Sequence, residues 1–247
     1  MLNILIPMGA QSVFFEQDPS PYPKPLAEIN GKPMVQHVIE NLQTLDREKR
    51  FIFILRDEDC SRYHLDSSVR LLCDGHSHGC QIIRTMRPTQ GAACSALLAI
   101  DLIGNDEPLL IANGDQLFDA DLNALLRDIE AQQADAACLT FDSLHPRWSY
   151  VRLENGNDIV ETAEKHPISR HAIAGFYYFA RGSDFVQAAQ RSIAKDASVD
   201  GVFYIAPVMN ELILQNKRLK ALPLPPGSYH TFYTPKKIEE YENSLRP

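Results

Sequence analysis

The 247-residue sequence has no apolar run approaching the roughly 18 residues that a membrane span requires, so it predicts no transmembrane helix. It has no basic surplus either. Against 32 acidic residues stand 24 Lys and Arg, a net charge of −8, which argues against a general nucleic-acid binder because phosphate backbones demand a basic face. Cysteine is sparse and unpaired in number: Cys60, Cys73, Cys80, Cys94 and Cys138 are irregularly spaced, which excludes a disulfide framework and reads as thiols in a reducing, cytoplasmic compartment. There is no internal repeat, low-complexity segment or linker. The economical reading is therefore one domain over 1–247, in two halves, 1–135 and 136–247. The first residues, MLNILIP, lack the basic lead of a signal peptide and read as a first strand.

What is present is an ordinary globular composition, 45% apolar and 23% charged. In the first half, short apolar runs at 2–6, 51–55, 81–85 and 108–112 alternate with helical patterns. Residues 33–42 place Met34, Val35, Val38, Ile39 and Leu42 at helical spacing behind Pro33, and 92–103 reads as one further helix. Strands apolar on both faces, alternating with helices, predict an α/β fold with a parallel sheet covered on each side. The second half changes rhythm. Residues 136–141, 150–153, 158–161 and 172–179 read as successive strands, then 184–193 and 205–215 as helices and 219–224 as a last strand.

Ligands of such sheets gather beyond the carboxyl ends of the strands, which directs attention to three loops. Residues 8–32 hold Lys24 between Pro23 and Pro25, which pin the chain on both sides and let one ammonium be aimed at a fixed spot, as a triphosphate would need. A solvated surface lysine is the plain alternative. Residues 86–91, MRPTQG, carry Thr89 and Gln90 as hydrogen-bonding groups and Gly91, which admits close backbone approach to a planar base; an ordinary strand-to-helix turn is the alternative. Residues 113–119, NGDQLFD, place Asp115 just past a buried strand, where it suits Mg²⁺ against phosphate oxygens. Asp119 and Asp121 have the Asp-x-Asp spacing of a metal motif but precede LNALLRDI, and are read as capping that helix. Cys73, His76, His78 and Cys80 are all suitable zinc ligands, though their spacing matches no named zinc module.

The segments NILIPM, PKPLAEINGKPMVQHVIENL, TQGAACSALLA, LLIANGDQLFD, ETAEKHPISRHAIAGFYYF, FYIAPVMNELI and YTPKKIEEYE, in this order, resemble the sugar-phosphate nucleotidyltransferases. The wording IANGDQ and EKHPIS is most similar to the branch serving capsule and surface polysaccharides. The resemblance implies a single Rossmann-like, GT-A-like nucleotidyltransferase domain: a mixed, mostly parallel central sheet flanked by helices, with a smaller acceptor-binding β lobe. It implies transfer of a nucleoside monophosphate from a triphosphate to a phosphorylated small-molecule acceptor, with release of pyrophosphate and with Mg²⁺ as cofactor. Met8, Gly9, Lys24, Thr89, Gln90, Gly91 and Asn113 would bind the nucleotide, with Lys24 and Asp115 catalytic and Asp115 also on the metal. Glu164, Lys165 and Gly175 would hold the acceptor. Nucleic acid and membrane are not expected as partners, and self-association into a homo-oligomer is left open.

Two departures bear on activity. Where the family reads Ala-Gly-x-Gly-Ser-Arg-Phe, this chain has Gly9-Ala10-Gln11-Ser12-Val13-Phe14-Phe15, so two glycines and the arginine that holds departing pyrophosphate are replaced. Near Tyr233-Thr234-Pro235 the family's glycine and metal-binding aspartate are missing, and His230 reads as a buried or surface histidine rather than a ligand. These leave open an inactive relative that binds nucleotide or sugar nucleotide and regulates or scaffolds a partner.

Overall fold

The computed structural model describes residues 1–10, 22–74 and 79–245. Phe14, Ser12 and Gln11 of the altered loop, and His76 and His78, lie outside these residues.

Strand β1, Leu2–Met8, leads past a 3-10 turn at Lys24–Leu26 and a two-residue pair, β2 Glu28–Ile29 and β3 Lys32–Pro33, into helix α1, Met34–Gln43. Then come β4 Lys49–Arg56, α2 Asp57–Tyr63, α3 Leu65–Cys73, β5 Cys80–Thr85, α4 Ala92–Leu97, α5 Ile100–Ile103 and β6 Leu109–Ala112. Strand β7 Gln116–Phe118 and helix α6 Leu122–Ala131 complete the first half. The second half carries β8 Ala136–Asp142, β9 Ser149–Glu154, β10 Asp158–Glu164, β11 His171–Phe179, α7 Gly182–Ala194 and α8 Ile205–Ile213. It closes with β12 Leu219–Pro223, β13 Tyr229–Thr231 and α9 Pro235–Ser244.

Among the described residues one nine-stranded sheet runs through both halves in the order β5-β4-β1-β6-β11-β8-β12-β10-β9. β5, β4, β1 and β6 are mutually parallel, in keeping with the apolar runs of the three inner strands. Antiparallel β11 joins this block to the second half, where β8 and β12 are parallel and the pairings of β10 are antiparallel. The sheet is thus mixed, with its parallel character concentrated in the first half. A single pairing of Ala172 with Tyr150 brings β9 back to β11, so that β11, β8, β12, β10 and β9 close into a small ring.

The alternation of side chains along each central strand builds two cores. Ile4, Ile6, Phe51, Phe53 and Leu110 face α1, α3 and α6, whereas Leu5, Ile52, Ile54, Leu109 and Ile111 face α4, α7 and α8. α1 buries all five of Met34, Val35, Val38, Ile39 and Leu42, with Pro33 as its extended N-cap. Asp121 caps α6 as its sequence suggests, its Oδ1 accepting the Ala124 N–H at 2.9 Å.

Two expectations change, and one segment gains detail. The helix expected over 92–103 is two: the N–H groups of Leu98 and Ala99 bond back three residues rather than four, and the axis breaks at Ala99. The 113–119 loop contains a strand, β7, which pairs antiparallel with β13 across more than a hundred residues of chain. Two helices, α2 and α3, fill the β4–β5 crossover, meeting at His64, which takes the left-handed conformation at φ 54°.

Candidate functional site

The order β5-β4-β1-β6 makes β1 the point where successive crossovers reverse direction. The first two move outward from β1 on one side, and the next returns to place β6 on the other. In open α/β sheets a ligand crevice is expected at such a reversal point, beyond the carboxyl ends of β1 and β6. Met8 and Gly9 end β1, and Asn113, Gly114 and Asp115 follow β6. Gly114 lets the two loops touch, since a Cβ there would stand 2.6 Å from the Met8 Cγ.

Into this crevice the 3-10 turn delivers Lys24. Pro23 holds the extended conformation before it, Pro25 is buried behind it, and the Lys24 ammonium pairs with the Asp115 carboxylate. Both side chains keep some exposure, 17% and 28%, so each remains reachable from solvent. Two groups 91 residues apart, singled out separately in the sequence, thus meet at one spot.

The 86–91 loop forms the next wall. Gly91, at φ 120°, sits where a Cβ would lie 2.3 Å from the Phe203 carbonyl oxygen. The Phe203 N–H donates to the Gln90 carbonyl at 2.7 Å and its carbonyl accepts the Ala93 N–H at 3.0 Å, so the space beside Gly91 is taken by this stitch. Thr89 turns its hydroxyl onto the Gly91 carbonyl and the Ser95 hydroxyl, while Gln90 is exposed. A polar cleft adjoining Gly9 runs between Arg56 and Glu58 on one side and Thr85 to Pro88 on the other.

On the opposite wall, β11 bulges between Ile173 and Tyr177. Gly175 lies in that bulge at φ 61°, and a Cβ on it would collide with Asn113 Nδ2 at 2.2 Å and Gln116 Oε1 at 2.5 Å. Its carbonyl instead receives the Asn113 N–H and the Gln116 side-chain amide, at 3.1 and 2.8 Å. Gln116 is 2% exposed and completes its bonding by accepting the Tyr229 hydroxyl at 3.0 Å. Burial, with the Asp115 charge adding to it, raises the Tyr229 phenol far above its ordinary range. It therefore stays a neutral donor.

Glu164 and Lys165 diverge. Glu164 is buried at the end of β10, where the Ser149 hydroxyl donates to its carboxylate. Burial raises its pKa, opposed by that hydrogen bond and by the Lys165 charge. Lys165 takes the left-handed conformation at φ 55°, its N–H on the Trp148 carbonyl at 3.0 Å. Its ammonium lies 5.1 Å from the Tyr204 ring and 4.0 Å from Asp200. The buried Tyr177 hydroxyl shares Ser149, and its phenol is raised by burial and by Glu164. Two buried polar groupings thus line this side, Gln116 with Tyr229 and Tyr177 with Ser149 and Glu164.

Sequence reasoning passes over Gln116, Tyr229, Ser149 and Arg147. Gln116 alone carries a signal, as a lone amide heading the apolar QLF. His230 sits 4.9 Å from the Tyr241 ring and its buried Nε2 has no hydrogen-bond partner among the described residues. Among the described residues no cluster of three His, Cys, Asp or Glu forms a metal cage. Cys73 and Cys80 are hydrogen-bonded to each other by their thiols.

The sequence profile of the MobA-like NTP transferase domain matches residues 17–195. The UTP–glucose-1-phosphate uridylyltransferase AglF of Haloferax volcanii is 27% identical over 162 residues, 64% of this chain and 63% of that protein. The bifunctional protein GlmU of Methanocaldococcus jannaschii is 28% identical over 161 residues, 64% of this chain and 35% of its own length. The chain thus matches less than two thirds of either relative. In fold it is similar to the nucleoside-diphosphate-sugar pyrophosphorylase of Vibrio cholerae RC9, with a TM-score of 0.83, 22% identity and coverage of 97% of this chain and 99% of that one. A UDP-glucose pyrophosphorylase in complex with UDP-glucose gives 0.76 at 18% identity, covering 98% and 97%.

Proposed function

The chain belongs to the MobA-like NTP transferase family, and on that premise we propose that it transfers a nucleoside monophosphate from a nucleoside triphosphate to a phosphorylated sugar or similar acceptor. The observation that carries this reading is the meeting of Lys24 and Asp115 at the reversal point of the sheet. An acceptor phosphate oxygen forms a bond to the α-phosphorus, the bond from that phosphorus to the bridging oxygen breaks, and pyrophosphate leaves with the electron pair. Little covalent work falls to the protein, so its residues act by position and charge.

Lys24 neutralises phosphate charge from its stiff turn. Met8, Gly9 and Asn113 border the crevice, and Thr89, Gln90 and Gly91 form the wall for the base. Glu164, Lys165 and Gly175 serve the acceptor, so that 1–135 is the nucleotide-binding half and 136–247 the acceptor-binding half. The donor set fits Mg²⁺: Asp115 is one hard, part-exposed carboxylate, and that ion accepts one or two carboxylates plus substrate oxygens and water. When bound it would supply charge neutralisation on the phosphates. Asp115 would hold the ion, and Lys24, paired with Asp115 in this structure, would face the phosphates. A cytoplasmic step supplying activated precursors for capsule or surface polysaccharide is the setting that the sequence wording supports.

A second reading, a nucleotide-binding relative without turnover, is favoured by Ala10 and Phe14 in the altered loop. The two separate on one screen, pyrophosphate release from the four common triphosphates against phosphorylated sugars and amino-acid phosphates. Triphosphate binding with no release for any acceptor selects the second. Under both, Lys24→Met weakens triphosphate binding more than nucleoside binding, and Asp115→Ala removes the Mg²⁺ dependence, both by calorimetry. Equal loss for nucleoside and triphosphate would remove Lys24 from the phosphates.

A further inference from the structure

Beyond Glu164 and Lys165, the acceptor half presents a cation, Arg147, that no acid among the described residues pairs with. Arg147 lies in the turn between β8 and β9, and its guanidinium carbon stands 3.4 Å from the centroid of the Tyr233 ring and 5.4 Å from that of Trp148. The turn is fixed at several points. The Arg147 N–H donates to His145 Nδ1 at 3.3 Å, the Trp148 N–H to the His145 carbonyl at 3.3 Å, and the Tyr150 hydroxyl to that same carbonyl at 2.6 Å. Tyr233 is itself held beside Thr234, the N-cap of α9. Three cations of the same half do have acids: Lys237 has Glu240, Lys165 has Asp200, and Arg170 has Asp142. Among the described residues no carboxylate lies within ion-pair distance of Arg147.

A guanidinium laid flat on a ring keeps its in-plane N–H donors directed outward, the arrangement that receives a planar carboxylate or a phosphate face. Its position assigns it to the acceptor rather than the triphosphate. Trp148, beside it, gives its carbonyl to Lys165 N–H, and the aromatic wall of Trp148, Phe141 and Tyr229 leads from Arg147 to Gln116. Because Arg147 already covers Tyr233, that ring is closed to a cationic acceptor.

Resting on the transferase reading, we propose that Arg147 is a specificity-determining residue that binds an anionic group of the acceptor. The group is either the phosphate that attacks or a second anion, such as a carboxylate, elsewhere on the same molecule.

The single tryptophan of the chain is Trp148, so its fluorescence reports this subsite without turnover. Glucose 1-phosphate and glucuronic acid 1-phosphate, which differ by one carboxylate, are titrated into wild type, Arg147→Met and Arg147→Lys. The wild type binds at least one of them, and Arg147→Met weakens that binding about 10- to 100-fold, the loss expected for a charged hydrogen bond. Arg147→Lys, which keeps charge without the planar stack, falls between, and triphosphate affinity is unchanged in both variants. Equal loss for the two probes identifies the attacking phosphate, and loss confined to glucuronic acid 1-phosphate identifies the second anion. Wild-type affinity in Arg147→Met, or a wild type silent to both probes while binding triphosphate, overturns the proposal. Arg147-dependent binding without triphosphate binding or pyrophosphate release would leave the anion subsite standing and remove the transferase reading instead.

Discussion

Glu164 keeps its carboxylate in a setting that favours the neutral acid. Burial raises its pKa above 4.5, and the Ser149 hydroxyl and Lys165 charge only partly oppose this. The folded chain therefore holds this proton more tightly than the unfolded one. The stability so gained is fully present below 4.5 and is lost as pH rises through the raised value. Glu164→Gln, which cannot ionise, should gain stability relative to wild type as pH rises from 4.5 to 7, measured by urea denaturation at a series of pH values. A difference independent of pH would mean that Glu164 is not held above its ordinary range. At this scale the sequence is readable where punctuation isolates a group: Lys24 between prolines, Asp115 after a glycine beyond an apolar run, Asp121 before a helix. It is silent on Arg147, Tyr229 and Ser149. Each is an ordinary residue type whose meaning comes from partners far along the chain, such as the 113 residues between Gln116 and Tyr229.

Among elements, the stitch between the 86–91 loop and Phe203 fixes one wall of the crevice to the start of α8. Gly91→Ala faces two penalties, a φ of 120° that L residues rarely adopt and a backbone oxygen 2.3 Å from the new carbon. A cost of about 3 kcal/mol or more is expected in urea denaturation. Gly156→Ala, also at positive φ but with nothing within 4 Å, should cost only about 1 to 2 kcal/mol. Equal costs would place the Gly91 effect in φ alone. β1, β4 and β6 are legible because each is largely buried on both faces and so is written as a nearly unbroken apolar run, whereas the edge strand β5 shows only a short apolar pair. The break at Ala99 and the β7–β13 pair are not legible. Residues 92–103 keep helical spacing through the break, and strands of three residues carry too little pattern to be distinguished from turn.

For the whole molecule, the parallel block follows from local alternation of strand and helix, and it carried the location of the crevice with it. The second half had to be found in three dimensions. β8 acquires a parallel neighbour, β12, only after three further strands and two helices have intervened, and β11 serves both halves at once. Activity also belongs here, since nucleotidyl transfer needs the assembled crevice. If the altered loop retains function, turnover of wild type in the pyrophosphate screen should depend on Asp115, with Asp115→Ala at least about 100-fold slower.

The pairing of β13 with β7 has a consequence for synthesis on the ribosome. The first half emerges early, yet Gln116 waits for Tyr229, and β7 for its only partner strand among the described residues, until the chain has grown past residue 231. The first four parallel strands can pair co-translationally, but the crevice they open has one wall missing until residues 229–231 have been added, since domains form in order as the chain emerges. Until then Gln116 and Asp115 stay in water. A nascent chain with a nearly complete nucleotide half is thus kept from forming the joined site until β13 has been made.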